Sequence, residues 1–131
     1  MNITADTNIL VRLLVNDDPA QPAAVKPILS RAGRICIPTS VFCELVWVLS
    51  HSYRFSRKDI SWAVRGLLQT DNLVCHTGEI LAGLALLEAG GDFADGVNKY
   101  AGRHLGADTF VTFDRKAALL LRNRGRKVTV P

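Results

Sequence analysis

The apolar positions of this chain fall into short runs that alternate with helical stripes. Residues 2–6, within "MNITADTNIL", read as a first strand. Ile9, Leu10, Leu13 and Leu14 then recur at helical spacing. "NDDPAQP" interrupts that stripe. Asp18-Pro19 reads as a cap with proline at the first position of a second helix, which runs to Ser30 with Pro27 as a bend point. "RICIP" is a short strand stopped by Pro38. Residues 39–52, "TSVFCELVWVLSHS", are too long for a typical strand and read as a helix apolar on most faces, deeply buried or set in an interface. "SRKDISWAVRGLLQ" carries Ile60, Ala63, Val64, Leu67 and Leu68 at helical intervals, with Ser56 and Asp59 as a capping-box-like start. "NLVCH" is a third strand, residues 78–89 a helix ended by Gly90-Gly91, and Asp92 to about Leu105 a helix ended by Gly106. "ADTFVTF" is a fourth strand, Asp114–Asn123 a helix closed by Gly125, and "KVTV" a last short strand.

Strands alternating with one or two helices predict an α/β fold, a three-layer α/β/α sandwich around a parallel sheet of about five strands. Right-handed crossovers leave few topologies for such a sheet. Its functional sites form beyond the carboxyl ends of the strands, where strand order reverses.

The length of 131 residues suits one domain spanning 1–131. A chain of this size buries roughly two-thirds of the surface it exposes when unfolded, so it folds without a disulfide or metal staple. No apolar run approaches the roughly 20 residues of a membrane span, and the start lacks the basic flank and long apolar run of a signal peptide. These features predict a soluble, cytoplasmic protein with no membrane partner. Cys36, Cys43 and Cys75 form no CxxC pair and no zinc-spaced cluster, and read as buried, reduced thiols.

Charge sharpens the picture. The net charge is +4, and the stretch from Arg115 to Pro131 holds six basic residues (Arg115, Lys116, Arg122, Arg124, Arg126, Lys127) and no acid. Such an end is a plausible phosphate-binding surface and is also ordinary for a solvated helix and tail.

Four acids then stand out. Asp6 ends the first strand and Asp114 the fourth, so parallel strands place both on one edge of the sheet. Each also reads as an N-cap. Asp92 is a good N-cap for its helix, and Asp95 lies three residues on, in the first turn. Glu44 lies mid-helix among apolar neighbours, where a buried carboxylate needs a partner: an arginine or a cation. If the four converge, two charges at ~4 Å repel by about 4 kcal/mol at an effective dielectric of 20. A hard divalent cation, Mg²⁺ or Mn²⁺, offsets that repulsion with oxygen ligands and keeps waters for chemistry. Thr7, Asn8 and Thr112 are natural supporting groups, able to orient carboxylates or waters, or simply to bond local backbone.

The pieces "ADTNIL", "IPTSVFCELVWVL", "GGDFADGVNKYAG" and "VTFDRKAA" come in this order across essentially the whole chain. In this the sequence resembles the PIN domain, and more narrowly the VapC-like toxin ribonucleases of toxin–antitoxin pairs. The resemblance implies a strand order of 3-2-1-4-5, which sets strands one and four side by side. It implies that Asp6, Glu44, Asp95 and Asp114 bind Mg²⁺ or Mn²⁺ and hydrolyse an RNA phosphodiester. Asp6, Glu44 and Asp95 would hold the principal metal, with Asp114 assisting it or a second one. Thr7, Asn8 and Thr112 fall where the family carries supporting polar groups, and Asp92 falls beside the catalytic position as a cap. The resemblance also implies a homodimer and a small antitoxin whose tail inhibits the site. The basic residues of the C-terminal end, Arg115 and Lys116 among them, with Arg12 and Arg103, are the candidates for holding the RNA backbone. One departure is visible: the family often has alanine after its third acid, and this chain has Gly96, at a helix-propensity cost of ~1 kcal/mol but with no ligand lost.

Two other readings use the same residues. A non-enzymatic module would keep the fold and bind RNA or a protein. Phosphotransfer through an aspartyl phosphate is disfavoured: haloacid-dehalogenase-like enzymes usually carry a second Asp where Asn8 stands, and the third strand ends in "VCHTG" rather than in the phosphorylatable Asp of receiver domains.

Overall fold

The computed structural model describes residues 1–15 and 20–131, with the backbone alone for residues 20 and 21. The expected Asp18-Pro19 cap lies outside the described residues. The chain divides into two compact units, Met1–His76 and Thr77–Pro131.

Unit 1 is built from β1 (Asn2–Thr4), α1 (Thr7–Leu14), α2 (Ala20–Arg31), β2 (Arg34–Cys36), α3 (Thr39–His51), α4 (Arg57–Leu68) and β3 (Leu73–Val74). The strands form a parallel sheet in the order β1-β2-β3, with Thr4 opposite Cys36 and Cys36 opposite Val74. The carboxyl ends of all three strands therefore lie on one edge. Helix α1 packs on α2 and α3, and α3 on α4, around a core that includes Leu10, Ile35, Ile37, Phe42, Leu45, Leu49, Ile60 and Val64. The Asn72 amide donates to the carbonyls of Leu29 (3.2 Å) and Ala32 (3.0 Å) and so tethers the end of α2. Pro27 lies inside α2, and Ser56 caps α4 by accepting from the Asp59 N–H at 3.1 Å, as expected for both.

Unit 2 holds α5 (Thr77–Glu88), α6 (Phe93–His104), β4 (Thr109–Val111), α7 (Arg115–Asn123) and β5 (Lys127–Thr129). β4 and β5 pair in parallel, Thr109 opposite Lys127 and Val111 opposite Thr129. Leu86, Ala118, Leu121 and Val128 form a buried cluster with Phe110, Leu120 and Val130 against it. Helix α5 is closed by Gly90 just beyond its end, whose φ of +102° suits glycine. There the Gly91 N–H donates to the Leu86 carbonyl and the Gly90 N–H to that of Leu87. Gly106 and Gly125 close α6 and α7 by the same pattern.

Helices α5 and α6 approach closely because glycines on each leave room for atoms of the other. The Phe93 ring lies where a side chain at Gly83 would go, and a Cβ at Gly96 would stand 2.6 Å from the Ala82 carbonyl oxygen. Glycine after Asp95 is therefore a packing requirement of this chain, which accounts for the departure noted at Gly96.

The fold is α/β, with five strands among the described residues, each paired in parallel within its sheet, as the pattern predicted. The ladder is divided into one sheet per unit, ordered 3-2-1 and 4-5. Two sequence expectations need correction. Helix α3 is apolar but not deeply buried all round: Phe42, Leu45, Val46 and Leu49 are buried while Trp47 is 59% exposed. The three cysteines are in no disulfide, as expected, but are half-buried rather than buried. No helix among the described residues is long and apolar enough to cross a membrane.

Candidate active site

In unit 1, Asp6 follows β1 and caps α1: its Oδ1 accepts the Ile9 N–H at 3.1 Å. The cap occupies one carboxylate oxygen, so capping and ligation are compatible roles for this side chain. The neighbouring Thr7 hydroxyl donates to Glu44 Oε2 at 3.0 Å, across 37 residues of sequence. That bond ties the start of α1 to the second turn of α3 and brings Glu44 to the edge where Asp6 stands. Glu44 is exposed, which overturns the reasoning from burial. Its neighbours in sequence are apolar, but they turn to other sides of the helix. Asn8 is exposed on the first turn of α1, and Arg12 is half-buried in its last turn.

In unit 2, Asp92 caps α6 through the Ala94 N–H at 3.1 Å. Asp114 follows β4 and caps α7 through the Ala117 N–H at 3.0 Å. The Thr112 hydroxyl oxygen accepts the Asp114 N–H at 3.0 Å and so sets the turn between strand and helix. Asp95 is half-buried in the first turn of α6. Burial pushes its carboxyl above the ordinary value, and the negative charges of Asp92 and Asp114 push it further in the same direction. Unit 2 thus brings Asp95 and Asp114 within electrostatic reach of each other. Arg115 and Lys116 are exposed directly after Asp114. Arg103 lies in the last turn of α6, at the opposite end from Asp95, and is not brought to these carboxylates.

Among the described residues, no three carboxylate, histidine or cysteine side chains form a group that would hold a metal. The donor chemistry nonetheless fits a hard divalent cation. Every strong candidate is a carboxylate, and the repulsion felt at Asp95 is of the kind that such a cation relieves. The helix starts at Asp6 and Asp114 also add little counter-charge beyond the ends of α1 and α7.

Sequence reasoning missed a group at the other edge of unit 2. Lys99 is only 7% exposed, and its ammonium lies 3.5 Å from the Asp108 carbonyl oxygen. The Thr109 hydroxyl, donating at 2.7 Å, and then the Lys127 charge hold the Asp108 carboxyl below its ordinary value. The sequence signal was Lys99 among the buried positions of α6, a residue type that is seldom buried without a partner.

Compared with known protein families, residues 3–120 match the PIN domain, a span that contains all four candidate acids. A comparison with curated proteins finds no match.

Proposed function

The chain belongs to the PIN domain family, whose members are generally ribonucleases, and from that premise we propose that it is a metal-dependent endoribonuclease hydrolysing RNA phosphodiester bonds. Asp6, Glu44, Asp95 and Asp114 are its metal-binding carboxylates in this reading, the first three for the principal ion. The observation that carries it is the family match over residues 3–120, which takes in all four acids; the Thr7–Glu44 bond in unit 1, and in unit 2 the half-buried Asp95 facing the charges of Asp92 and Asp114, support it.

Each residue's part follows from its bonds. Asp6 and Asp114 are held by the helices they cap, which aims their remaining oxygens. Thr7 orients Glu44 by donating to one of its oxygens. Thr112 holds the turn that carries Asp114. Arg115 and Lys116 stand beside Asp114 as phosphate contacts. When bound, Mg²⁺ or Mn²⁺ would polarise the phosphoryl oxygen and supply a nucleophile at neutral pH.

The test is cleavage of single-stranded RNA with Mg²⁺ or Mn²⁺, blocked by EDTA and by Asp6→Asn or Asp95→Asn. Cleavage that survives either substitution would eliminate the assignment. RNA binding without cleavage in the wild type would leave the binding-module reading in its place.

The accompanying reading is that of a cytoplasmic toxin, forming a homodimer and inhibited by a small antitoxin. An apolar hollow of about 560 Å³ in unit 1, lined by Leu10, Leu13, Leu29, Ile35, Leu67 and Leu73, supports a partner that offers an apolar segment. Co-purification with the product of a short adjacent reading frame, with loss of nuclease activity in the complex, is the expected result.

A further inference from the structure

We propose that unit 2 carries a second, metal-independent RNA site: a basic cleft at the amino-terminal edge of the β4–β5 sheet that holds backbone phosphates away from the carboxylates. The ribonuclease reading supplies the identity of the polyanion; the cleft itself stands on its own geometry.

The hollow measures about 280 Å³, and Lys99, Arg103, Arg126 and Lys127 line it with Asp108 as the sole acid. Four cations around one carboxylate leave a strong positive excess. Asp108 itself is engaged by the Thr109 hydroxyl. A second hollow of about 200 Å³ shares Lys99, Arg103 and Arg126 and adds Arg124 and Tyr100, which extends the basic track along α6. The Arg124 guanidinium donates to the Ala85 carbonyl at 2.9 Å, a contact that fixes the side chain without neutralising it.

The position is set by the fold. Lys127 pairs with Thr109 where the two strands begin, and Asp114 follows the end of β4. Arg103 is eight residues beyond Asp95 on α6, ~12 Å along the helix axis at 1.5 Å per residue. Unit 2 is therefore polarised in balance: Asp92, Asp95 and Asp114 outnumber Arg115 and Lys116 at one edge, and four cations outnumber Asp108 at the other. Without metal, a polyanion is attracted more strongly to the second edge.

The lining is unlike that of the usual small-molecule pocket, which is mostly apolar with a few polar groups, whereas four cations line this one. Open basic grooves that track a backbone are how single-stranded nucleic acid is held without sequence preference. Arginine suits the task because its planar fork matches phosphate oxygens.

The experiment measures binding of a labelled, mixed-sequence single-stranded oligoribonucleotide to the full chain in EDTA, across a series of salt concentrations. The slope of log K against log salt is about −0.7 per phosphate contact for single strands. Arg103→Gln with Arg126→Gln is expected to make that slope shallower by about 1.4. Arg103→Lys with Arg126→Lys keeps the charges and is expected to keep the slope. Lys26→Gln with Arg31→Gln on α2 removes the same charge elsewhere and is expected to change it little. An unchanged slope in the first variant, an equal change in the α2 variant, or no RNA binding by the wild type in EDTA overturns the proposal. A wild type that binds in this way yet cuts nothing with Mg²⁺ keeps the cleft and loses the ribonuclease reading.

Discussion

Substituting Gly96 by alanine, the residue common in the family, is expected to destabilise this chain. A Cβ at this position would lie 2.6 Å from the Ala82 carbonyl oxygen and 3.0 Å from both Gly83 Cα and Leu86 Cβ. None of these is the far end of a flexible side chain, so relief requires α5 and α6 to move apart. Overpacking of this type costs typically 1–3 kcal/mol. Alanine's better helix propensity returns ~1 kcal/mol. Because all three contacts are with rigid atoms, the cost belongs in the upper part of its range, and the net loss is about 1–2 kcal/mol. At a conversion of about 4 °C per kcal/mol for a chain of this length, Tm should fall by roughly 4–8 °C. Gly102→Ala is the matched control. It sits on the same helix with nothing within 4 Å of its Cβ position, so only propensity acts and Tm should rise. Circular dichroism melts of the two variants in EDTA provide the assay. Asp95 neighbours Gly96, so the displacement that costs stability should also weaken Mn²⁺ binding in Gly96→Ala and leave it intact in Gly102→Ala. A rise in Tm for both variants would show that the α5–α6 contact has slack and that the packing argument is wrong.

Asp95 gives a prediction about pH. Its carboxyl is raised in the folded chain, so the fold holds that proton more tightly than the unfolded chain does. The resulting destabilisation is absent below the ordinary value of 3.8 and grows as pH rises through the folded pKa. Asp95→Asn should therefore raise Tm in EDTA at pH 7, with the difference vanishing near pH 3, while nuclease activity is lost; a lower Tm at pH 7 refutes the crowding. Thr7→Val removes the hydroxyl that holds Glu44 and should cost about 10–100-fold in metal affinity, with Thr7→Ser restoring most of it in Mn²⁺ titrations. Asp114→Ala should lose ~1 kcal/mol from the α7 cap. Asp114→Ser should recover that stability in a melt yet remain inactive on RNA, which separates the cap from the catalytic role.

The order of elements was legible because the apolar periods and glycine stops are local signals. Gly90, Gly106 and Gly125 each close the helix that precedes them, and their positions were read from residue type alone. The strands were read too long, as in "NLVCH" for the two paired residues Leu73 and Val74, because pairing depends on the partner strand rather than on propensity. For the acids, cap and ligand looked like competing readings, but Asp6, Asp92 and Asp114 all cap helices with one oxygen, so capping does not decide between them. Glu44 is the instructive error. Its neighbours are apolar in sequence, which suggested burial, yet Glu44, Trp47 and His51 recur at helical spacing and all three are exposed on α3, with Trp47 and His51 stacked at 4.5 Å. The exposed stripe was present in the pattern and was hidden by counting neighbours along the chain instead of around the helix. Of the basic cleft, the basic C-terminal stretch and Arg103 were legible, but their meeting with Lys99 in one hollow was not. Lys99 and Arg103 come from α6, and Arg126 and Lys127 from some twenty residues later; they meet only because β5 pairs with β4 from its first residue. A one-residue slip of that register would turn the alternating side chains of β5 over and move Lys127 away from Asp108. The cleft is therefore a property of strand pairing, and it is as specific as the burial of Val128 that holds the register in place.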